Sequence, residues 1–177
     1  LAVNPDVCAW LTLDGTNIDY PVLQGESNLS YINTDVYGNF ALAGSIFLDS
    51  RNSSTFADVF SLLYGHHMEN SQMFGDLDKY RSADFLQQTN TGTLLVPGGR
   101  YALRVFACIV VSASDDLWQA DNVPAMLDRL QADALCVDQA AMDDLRTAQN
   151  PKVLCMSTCS SDYTDARTVV LAAMQLE

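Results

Sequence analysis

Positive charge is scarce in this 177-residue chain. Nine Lys and Arg residues stand against 22 Asp and Glu residues, which gives a formal net charge of −13 and a pI of about 4.2. Such a surface repels the phosphates of nucleic acids and of anionic lipid head groups, so nucleic-acid binding is disfavoured. A cationic or amine-bearing partner fits the charge better.

Long apolar segments are missing as well. The longest, Val105–Val111 and Val169–Met174, fall far short of the roughly 20 residues that cross a bilayer. No basic start followed by an apolar stretch opens the chain, so we expect no signal peptide in it. With 49% hydrophobic residues, a mean hydropathy of +0.04 and no repeat or linker, the sequence predicts one domain over residues 1–177.

Paired thiols and histidines are few. The chain has five cysteines, an odd number, and no Cys-x-x-Cys pair, which disfavours both a disulfide scaffold and a four-thiolate zinc site. At least one thiol is therefore free or pairs with another molecule. The two histidines are adjacent, at His66 and His67, so any chemistry that needs an imidazole depends on them.

What the sequence does contain is a series of short β-like runs separated by turn residues. The predicted strands are Val7–Leu13, Ile18–Leu23, Gly44–Leu48, Val59–Tyr64, Gly92–Val96, Tyr101–Ser112, Val153–Thr158 and Thr168–Met174. These runs predict a mainly β fold with helices (α+β), arranged as a β-barrel or a strongly curved sheet.

Apolar residues recur at helical intervals later in the chain, through Val123–Gln149. Asn122 followed by Val123-Pro124 is typical of a helix start. The pattern predicts one longer helical insertion before the last two strands. Shorter helices are predicted over Asn28–Ile32 and Met73–Tyr80.

A candidate nucleophile lies at the end of the penultimate predicted strand. Cys159 falls where the β-like run gives way to the polar turn Ser160–Asp165, so its thiol is predicted to be exposed. Cys155 shares its face of the strand but lies deeper, and is predicted to pack in the core. Because most free cysteines are structural, position alone leaves both a structural and a nucleophilic role open for Cys159.

The adjacent histidines follow another predicted strand, after a glycine that allows the backbone to bend. An imidazole beside a thiol can take or share its proton, which makes His66 and His67 candidate partners of Cys159. The alternatives are that both are solvated loop residues, or that they bind zinc together with Cys155 and Cys159. Zinc is disfavoured because adjacent side chains on a strand point in different directions.

Arg167 begins the last predicted strand, and a short turn would bring it to the same end of the sheet as Cys159. Its forked donors can hold a substrate carbonyl or a developing oxyanion. The commoner fate of such a residue is a surface ion pair, here with Asp162 or Asp165.

In combination and in this order, these motifs resemble the sortases, the cysteine transpeptidases of Gram-positive cell surfaces. The similarity is carried by Tyr64-Gly65-His66, Ser157-Thr158-Cys159 and Arg167, and it extends from about Asn4 to Met174. The stretch Gly-Thr-Asn-Ile-Asp-Tyr-Pro-Val at residues 15–22, together with the helical insertion, points to class B.

The resemblance implies a sortase-type closed β-barrel of about eight strands, with His66, Cys159 and Arg167 as the catalytic triad. The Cys159 thiolate would attack the carbonyl of a Thr in a C-terminal sorting signal, and His66 would protonate the departing amine. Arg167 would stabilise the oxyanion, and a second amine would resolve the thioester. Family members usually carry a polar residue such as Asn where His67 stands. No cofactor and no metal are implied.

Class B members typically prefer signals of the Asn-Pro-x-Thr type. By resemblance, the substrate groove would be lined by Asn28, Tyr31, Ile32, Ser157, Thr158 and the helical insertion. The expected partners are surface proteins or pilins that carry the signal, with an amine of peptidoglycan or a pilin Lys as acceptor. The expected location is the extracellular face of the plasma membrane, through an N-terminal anchor outside this chain.

Two other functions fit the same motifs. A catalytically idle barrel that binds peptides or pilins would keep the groove but need no free thiol or imidazole. The presence of all three triad residues in matching contexts argues against it. A hydrolytic cysteine peptidase would use the same residues without an amine acceptor, and the sequence does not separate it from a transpeptidase.

Overall fold

The computed structural model of the chain describes residues 3–115 and 122–177. Within these ranges the strands are β1 (Val7–Leu13), β2 (Asp19–Leu23), β3 (Ile46–Leu48), β4 (Phe60–Tyr64), β5 (His67–Met68), β6 (Gln72–Met73), β7 (Thr91–Val96), β8 (Gly99–Ser112), β9 (Cys136–Val137), β10 (Val153–Cys159) and β11 (Ala166–Leu176). The α-helices are α1 (Ala83–Gln88), α2 (Val123–Asp133) and α3 (Gln139–Thr147), and short 3-10 segments cover Glu69–Ser71 and Gly75–Arg81.

Eight of these strands close into a barrel. Hydrogen-bonded neighbours follow the order β11-β10-β4-β3-β2-β1-β7-β8, and β8 pairs back onto β11, which completes the ring. The short strand β9 is added to β8, and β5 with β6 forms a separate ribbon. The closed β-barrel predicted from the sequence is confirmed. Closure of the ring pairs both edges of each of these eight strands.

Two strand pairings decide which side chains meet at the rim of the barrel. Strands β4 and β10 run parallel with Tyr64 beside Ser157, so both end at the same rim. Strands β10 and β11 form an antiparallel hairpin in which Cys159 lies directly opposite Arg167. His66 follows β4 by two residues. Backbone pairing therefore brings the three predicted triad residues to one rim.

Successive residues of β10 and β11 face opposite sides of the barrel wall. Met156 and Val170 belong to the cluster that fills the interior, whereas Cys155 and Val169 belong to a second cluster. The apolar faces of α2 and α3 cover that second cluster from outside the barrel. The wall is therefore packed on both sides at the strands that carry Cys159 and Arg167.

The helical insertion predicted over Val123–Gln149 is two helices and not one. The first, α2, ends at Asp133, and the side chain of Asp138 starts α3 by accepting a hydrogen bond from the Ala141 amide. Between them, Cys136–Val137 pairs with β8 as strand β9. Periodicity missed the break because pairing with a distant strand overrides a local helical pattern.

The helix predicted over Asn28–Ile32 is wrong, since the segment is a series of turns. The side chain of Asn28 accepts a hydrogen bond from the Ser50 amide, 2.8 Å away. Ser27 Oγ accepts one from the amide of Leu29. Side chains that bind backbone amides in this way compete with the hydrogen bonds of a helix.

The helix predicted over Met73–Tyr80 is the 3-10 helix Gly75–Arg81, displaced by two residues at its start. Leu77 and Tyr80 of this helix are buried in the interior cluster of the barrel. The helix packs on β8 and β11. The charged residues of this helix, Asp76, Asp78, Lys79 and Arg81, are therefore held in place by its packing on the core.

Candidate active site

The predicted site residues meet in a cleft at the rim of the barrel. A cavity of about 120 Å³ is lined by Ile32, Phe47, Tyr64, Gly65, His66, Ser157, Thr158, Cys159 and Arg167. A neighbouring cavity of about 480 Å³ shares five of these residues and extends to Asn28, Leu29, Arg51 and Ala113–Asp115. The two cavities together are called the groove below.

Cys159 presents the exposed thiol of this site. All five cysteines are unpaired, and the other four are buried. Burial raises the pKa of the Cys155 thiol far above its usual range. Because the thiolate is the nucleophilic form of cysteine, a buried and protonated Cys155 has no access to chemistry. The difference in depth expected between Cys155 and Cys159 is present in the structure.

The His66 ring lines the groove and is oriented by the backbone across from it. Its Nε2 lies 2.7 Å from the carbonyl oxygen of Ile32. A carbonyl oxygen only accepts, so Nε2 carries a proton and donates it, which leaves Nδ1 as the nitrogen able to take up or release a proton. A Cβ on Gly65 would lie 2.9 Å from Cγ of the buried Phe74 ring, so close packing favours glycine here.

His67 lies outside the groove. Its Nε2 is 2.8 Å from Oδ2 of Asp78, on the 3-10 helix. With the two imidazoles apart and Cys155 buried, the zinc site considered from the sequence is not assembled. Among the described residues, no group of three or more His, Cys, Asp or Glu side chains is arranged to hold a metal ion.

Arg167 lines both cavities beside Cys159. One guanidinium nitrogen, Nη1, donates to the carbonyl oxygen of Ala166 at 3.0 Å, which fixes the side chain along the rim. Asp162, considered from the sequence as its ion-pair partner, is instead held by Arg81. The remaining guanidinium donors form a fork suited to carbonyl or oxyanion oxygens.

Not every predicted substrate-binding residue reaches the groove. Asn28 and Ile32 line it, but Tyr31 is 7% exposed and donates to Asp6 at 2.7 Å. Tyr31 packs in a small cluster with Phe47 and supports the groove from behind. Helices α2 and α3, also predicted to line the groove, are absent from its described lining because they pack on the outer wall of the barrel.

Two buried hydroxyls lie in the lining next to the thiol. Ser157 Oγ and Thr158 Oγ1 are buried, and within residues 3–115 and 122–177 they have no hydrogen-bond partner. Leaving a buried hydroxyl unsatisfied costs about 1–3 kcal/mol.

The chain matches a known protein family over most of its length. The family model described as Sortase domain matches residues 11–175. The chain belongs to the sortase family. It is therefore a cysteine transpeptidase, and sortases are cell-surface-associated enzymes that act on sorting signals.

The relatives of this sortase are class B enzymes. Sortase B of Listeria monocytogenes is 31% identical over 171 residues, which covers 95% of this chain and 69% of the relative. A class B sortase of Streptococcus pyogenes involved in pilus biogenesis superposes with a TM-score of 0.88 at 35% identity, covering 99% and 95% of the two chains. A Staphylococcus aureus sortase B–substrate complex gives 0.87 at 28% identity, covering 99% and 82%. The class B similarity predicted from the motifs is confirmed.

The groove of this sortase is also lined by residues that the sequence did not assign to it, among them Phe47, Tyr64 and Arg51. The rings of Phe47 and Tyr64 stack at a tilt with their centroids 5.4 Å apart and form one wall. Each aromatic residue lies at or near the end of a predicted strand, as the catalytic candidates do. That shared position is the signal that could have identified them.

Asp49 anchors this wall from beneath. Its carboxylate accepts hydrogen bonds from Arg51 Nε and Nη2 at 2.9 Å, and from Asn28 Nδ2 and the Tyr64 hydroxyl at 3.1 Å. Burial by itself raises the pKa of Asp49, but these donors outweigh burial and lower the pKa to about 2. Asp49 is therefore charged at neutral pH.

Replacing Asp49 with Asn is expected to reveal this linkage as a loss of stability that depends on pH. A carboxyl group whose folded-state pKa is depressed stabilises the fold fully above its unfolded pKa of about 3.9, and the stabilisation is lost as the pH falls to about 2. The free energy of unfolding should differ by about 2 kcal/mol between wild type and D49N at pH 6, measured by urea denaturation. The difference should shrink towards pH 2. A difference that stays constant between pH 6 and pH 2 contradicts the assignment.

Proposed function

We propose that this sortase recognises an Asn-Pro-x-Thr-like signal near the C-terminus of a surface protein, cleaves after the Thr, and transfers the protein to an amine. The observation that carries the proposal is that the exposed thiol of Cys159 lines one cavity together with His66 and Arg167.

In the proposed acylation, Cys159 Sγ forms a bond to the carbonyl carbon of the signal Thr. The bond from that carbon to the leaving nitrogen then breaks, and the His66 imidazolium gives its proton to the departing amine. The Ile32 carbonyl holds Nε2–H, so Nδ1 is the ring nitrogen that exchanges the proton. In the second half, an incoming amine attacks the thioester, loses its proton to His66 and releases the Cys159 thiolate.

Arg167 is proposed to stabilise the negative charge that develops on the carbonyl oxygen. It lies opposite Cys159 in the β10–β11 pair and holds one hydrogen bond to Ala166, so its other donors are carried on an oriented group. Donors fixed before the reaction stabilise an oxyanion without reorganisation. Asn28 and Ile32 are proposed to contact the signal further along the groove.

The proposed partners are a signal-bearing surface protein or pilin and an amine acceptor, in peptidoglycan or on a pilin Lys. A net charge of −13 favours approach of a cationic acceptor, and the S. pyogenes relative is involved in pilus biogenesis. We place the enzyme at the outer face of the plasma membrane, as one catalytic domain held by a separate N-terminal anchor. In the described residues, no helix combines the length and the apolar character that a membrane crossing requires.

A quenched fluorescent peptide containing Asn-Pro-x-Thr tests the proposal, with a matched peptide in which the Thr is replaced by Ala as control. We expect cleavage of the first peptide and at least about tenfold slower cleavage of the second. Oligoglycine and a Lys-containing pilin peptide are then added, and mass spectrometry measures the ratio of ligated to hydrolysed product. If the peptide is hydrolysed and neither amine gives a ligated product, the result favours a hydrolytic cysteine peptidase. Binding without cleavage of any signal peptide favours an idle peptide-binding barrel.

A further inference from the structure

Each predicted triad residue is followed by a polar residue, and all three of these successors are hydrogen-bonded on the side away from the groove. His67 follows His66, Ser160 follows Cys159, and Thr168 follows Arg167. Neighbouring residues of an extended chain point to opposite faces. The successors therefore lie behind the groove, where they meet the 3-10 helix Gly75–Arg81 and the β10–β11 turn.

Asp78 of the 3-10 helix joins two of these successors. Its Oδ2 accepts a hydrogen bond from His67 Nε2 at 2.8 Å, and its Oδ1 accepts one from the Thr168 hydroxyl at 3.1 Å. One carboxylate thus connects the segment that carries His66 to the strand that carries Arg167. These two segments are far apart in sequence.

Arg81, one helical turn after Asp78, is linked to the third successor, Ser160, through Asp162. Its Nη1 and Nη2 donate to both oxygens of Asp162 at 2.9 and 2.7 Å. Asp162 in turn accepts a hydrogen bond from the hydroxyl of Ser160. A second guanidinium contact, 3.9 Å long, joins Arg81 to Asp78 and so connects the two halves of the network.

The helix that carries Asp78 and Arg81 is itself fixed to the barrel. Leu77 precedes Asp78 and Tyr80 precedes Arg81, and both are fully buried in the interior cluster. Asp76 is buried too and pairs with Lys79 at 2.8 Å. The network therefore rests on a rigid support, as precise positioning of reacting groups requires.

We propose that Asp78 and Arg81 are positioning residues, which hold the His66, Cys159 and Arg167 segments in mutual register from behind the groove. The inference rests on the proposed catalytic roles of these three residues. Strand pairing fixes the register of Cys159 with Arg167, but His66 lies beyond the end of β4 and the turn after Cys159 lies beyond β10. Single backbone hydrogen bonds, from the Gly65 amide to Ser157 and from the Ser160 amide to Ala166, continue the pairing to these ends, and the side-chain network reinforces them.

The test compares H67A, T168V and their double variant with wild type on whichever signal peptide the enzyme cleaves. Removing either donor to Asp78 should lower kcat about tenfold and leave KM within about twofold, because small displacements of reacting groups act on the transition state. The double variant should lose less than the product of the two single losses, since both donors act through one carboxylate. T168S keeps the hydroxyl and should recover most of the activity.

R100A is the matched control. Arg100, at the start of β8, pairs at 2.9 Å with Glu177, which follows β11, and both side chains are half-exposed. R100A therefore removes a surface ion pair that lies away from the rim. Its kcat should be unchanged. The proposal is overturned if the kcat values of T168V and H67A lie within about twofold of wild type. It is also overturned if T168S is as slow as T168V, because the loss would then come from packing and not from the hydroxyl.

Hydrogen exchange provides a readout that needs no substrate. In H67A, the peptide covering residues 160–168 should exchange faster than in wild type, because loosening Asp78 releases Thr168, whereas R100A should leave it unchanged. If wild type cleaves no signal peptide, the proposed function fails, and exchange alone then decides on the network. Unchanged exchange at residues 160–168 in H67A would in that case overturn it.

Discussion

Replacing Cys159 with alanine is expected to reduce signal cleavage by at least about 10³-fold, because no other thiol reaches the groove to form the thioester. The matched control is C155A, four residues earlier on the same strand and the same face. Its thiol is buried, so this variant should keep its cleavage rate and lose stability through the small cavity left in the core. Initial rates on the quenched peptide and thermal melting measure the two effects separately.

Mass spectrometry of the enzyme with substrate adds a direct observation to this comparison. Wild type and C155A should accumulate the mass of the acylated enzyme when no amine is added, and C159A should not. Retained cleavage in C159A, or an acyl group mapped to Cys155, would show that the nucleophile has been misassigned.

Replacing His66 with alanine is expected to lower kcat about 10²- to 10⁴-fold, the usual contribution of a positioned acid–base group. The corresponding loss for H67A is expected to be about tenfold, because His67 bonds to Asp78 behind the groove and acts only through position. The two adjacent histidines thus provide their own matched pair. Steady-state rates on the same peptide measure both losses.

Added imidazole distinguishes loss of a proton carrier from loss of structure. It should restore part of the activity of H66A, where removing the ring opens space beside Ile32, and none of that of H67A. Equal losses in the two variants, or rescue of H67A alone, would transfer the acid–base role to His67.

Strand positions were predictable because alternation and turn residues are local signals. The Val7–Leu13 run is β1 with the same boundaries, and the long run that ends at Ser112 is β8. The failures come from non-local contacts. The Asn28 side chain accepts a hydrogen bond from the distant Ser50 amide, in a segment that was predicted to be helical. Cys136–Val137 lies within a helical sequence pattern but pairs with β8 as a strand. No local pattern contains these partners.

The site divides in the same way. The meeting of His66, Cys159 and Arg167 at one rim was predictable from motifs at strand ends, and the barrel brings them there. Their catalytic roles remain predictions. The burial of Tyr31 behind the wall was not predictable, because its hydroxyl is held by Asp6, far away in sequence. The hydrogen bonds from His67 and Thr168 to Asp78 were not predictable either, because they join residues that are distant in sequence.

The order of strands around the barrel has a consequence for how the enzyme is made. Strand β4 finds its parallel neighbour only in β10, and β8 finds β11 only at the end of the described chain. Until β10 and β11 have been synthesised, β4 and β8 each have an unpaired edge. Such non-local pairing is slow to form, and unpaired strand edges are prone to aggregate. The final hairpin that seals these edges also delivers Cys159 and Arg167. A chain therefore brings Cys159 and Arg167 together only when the last two strands close the barrel.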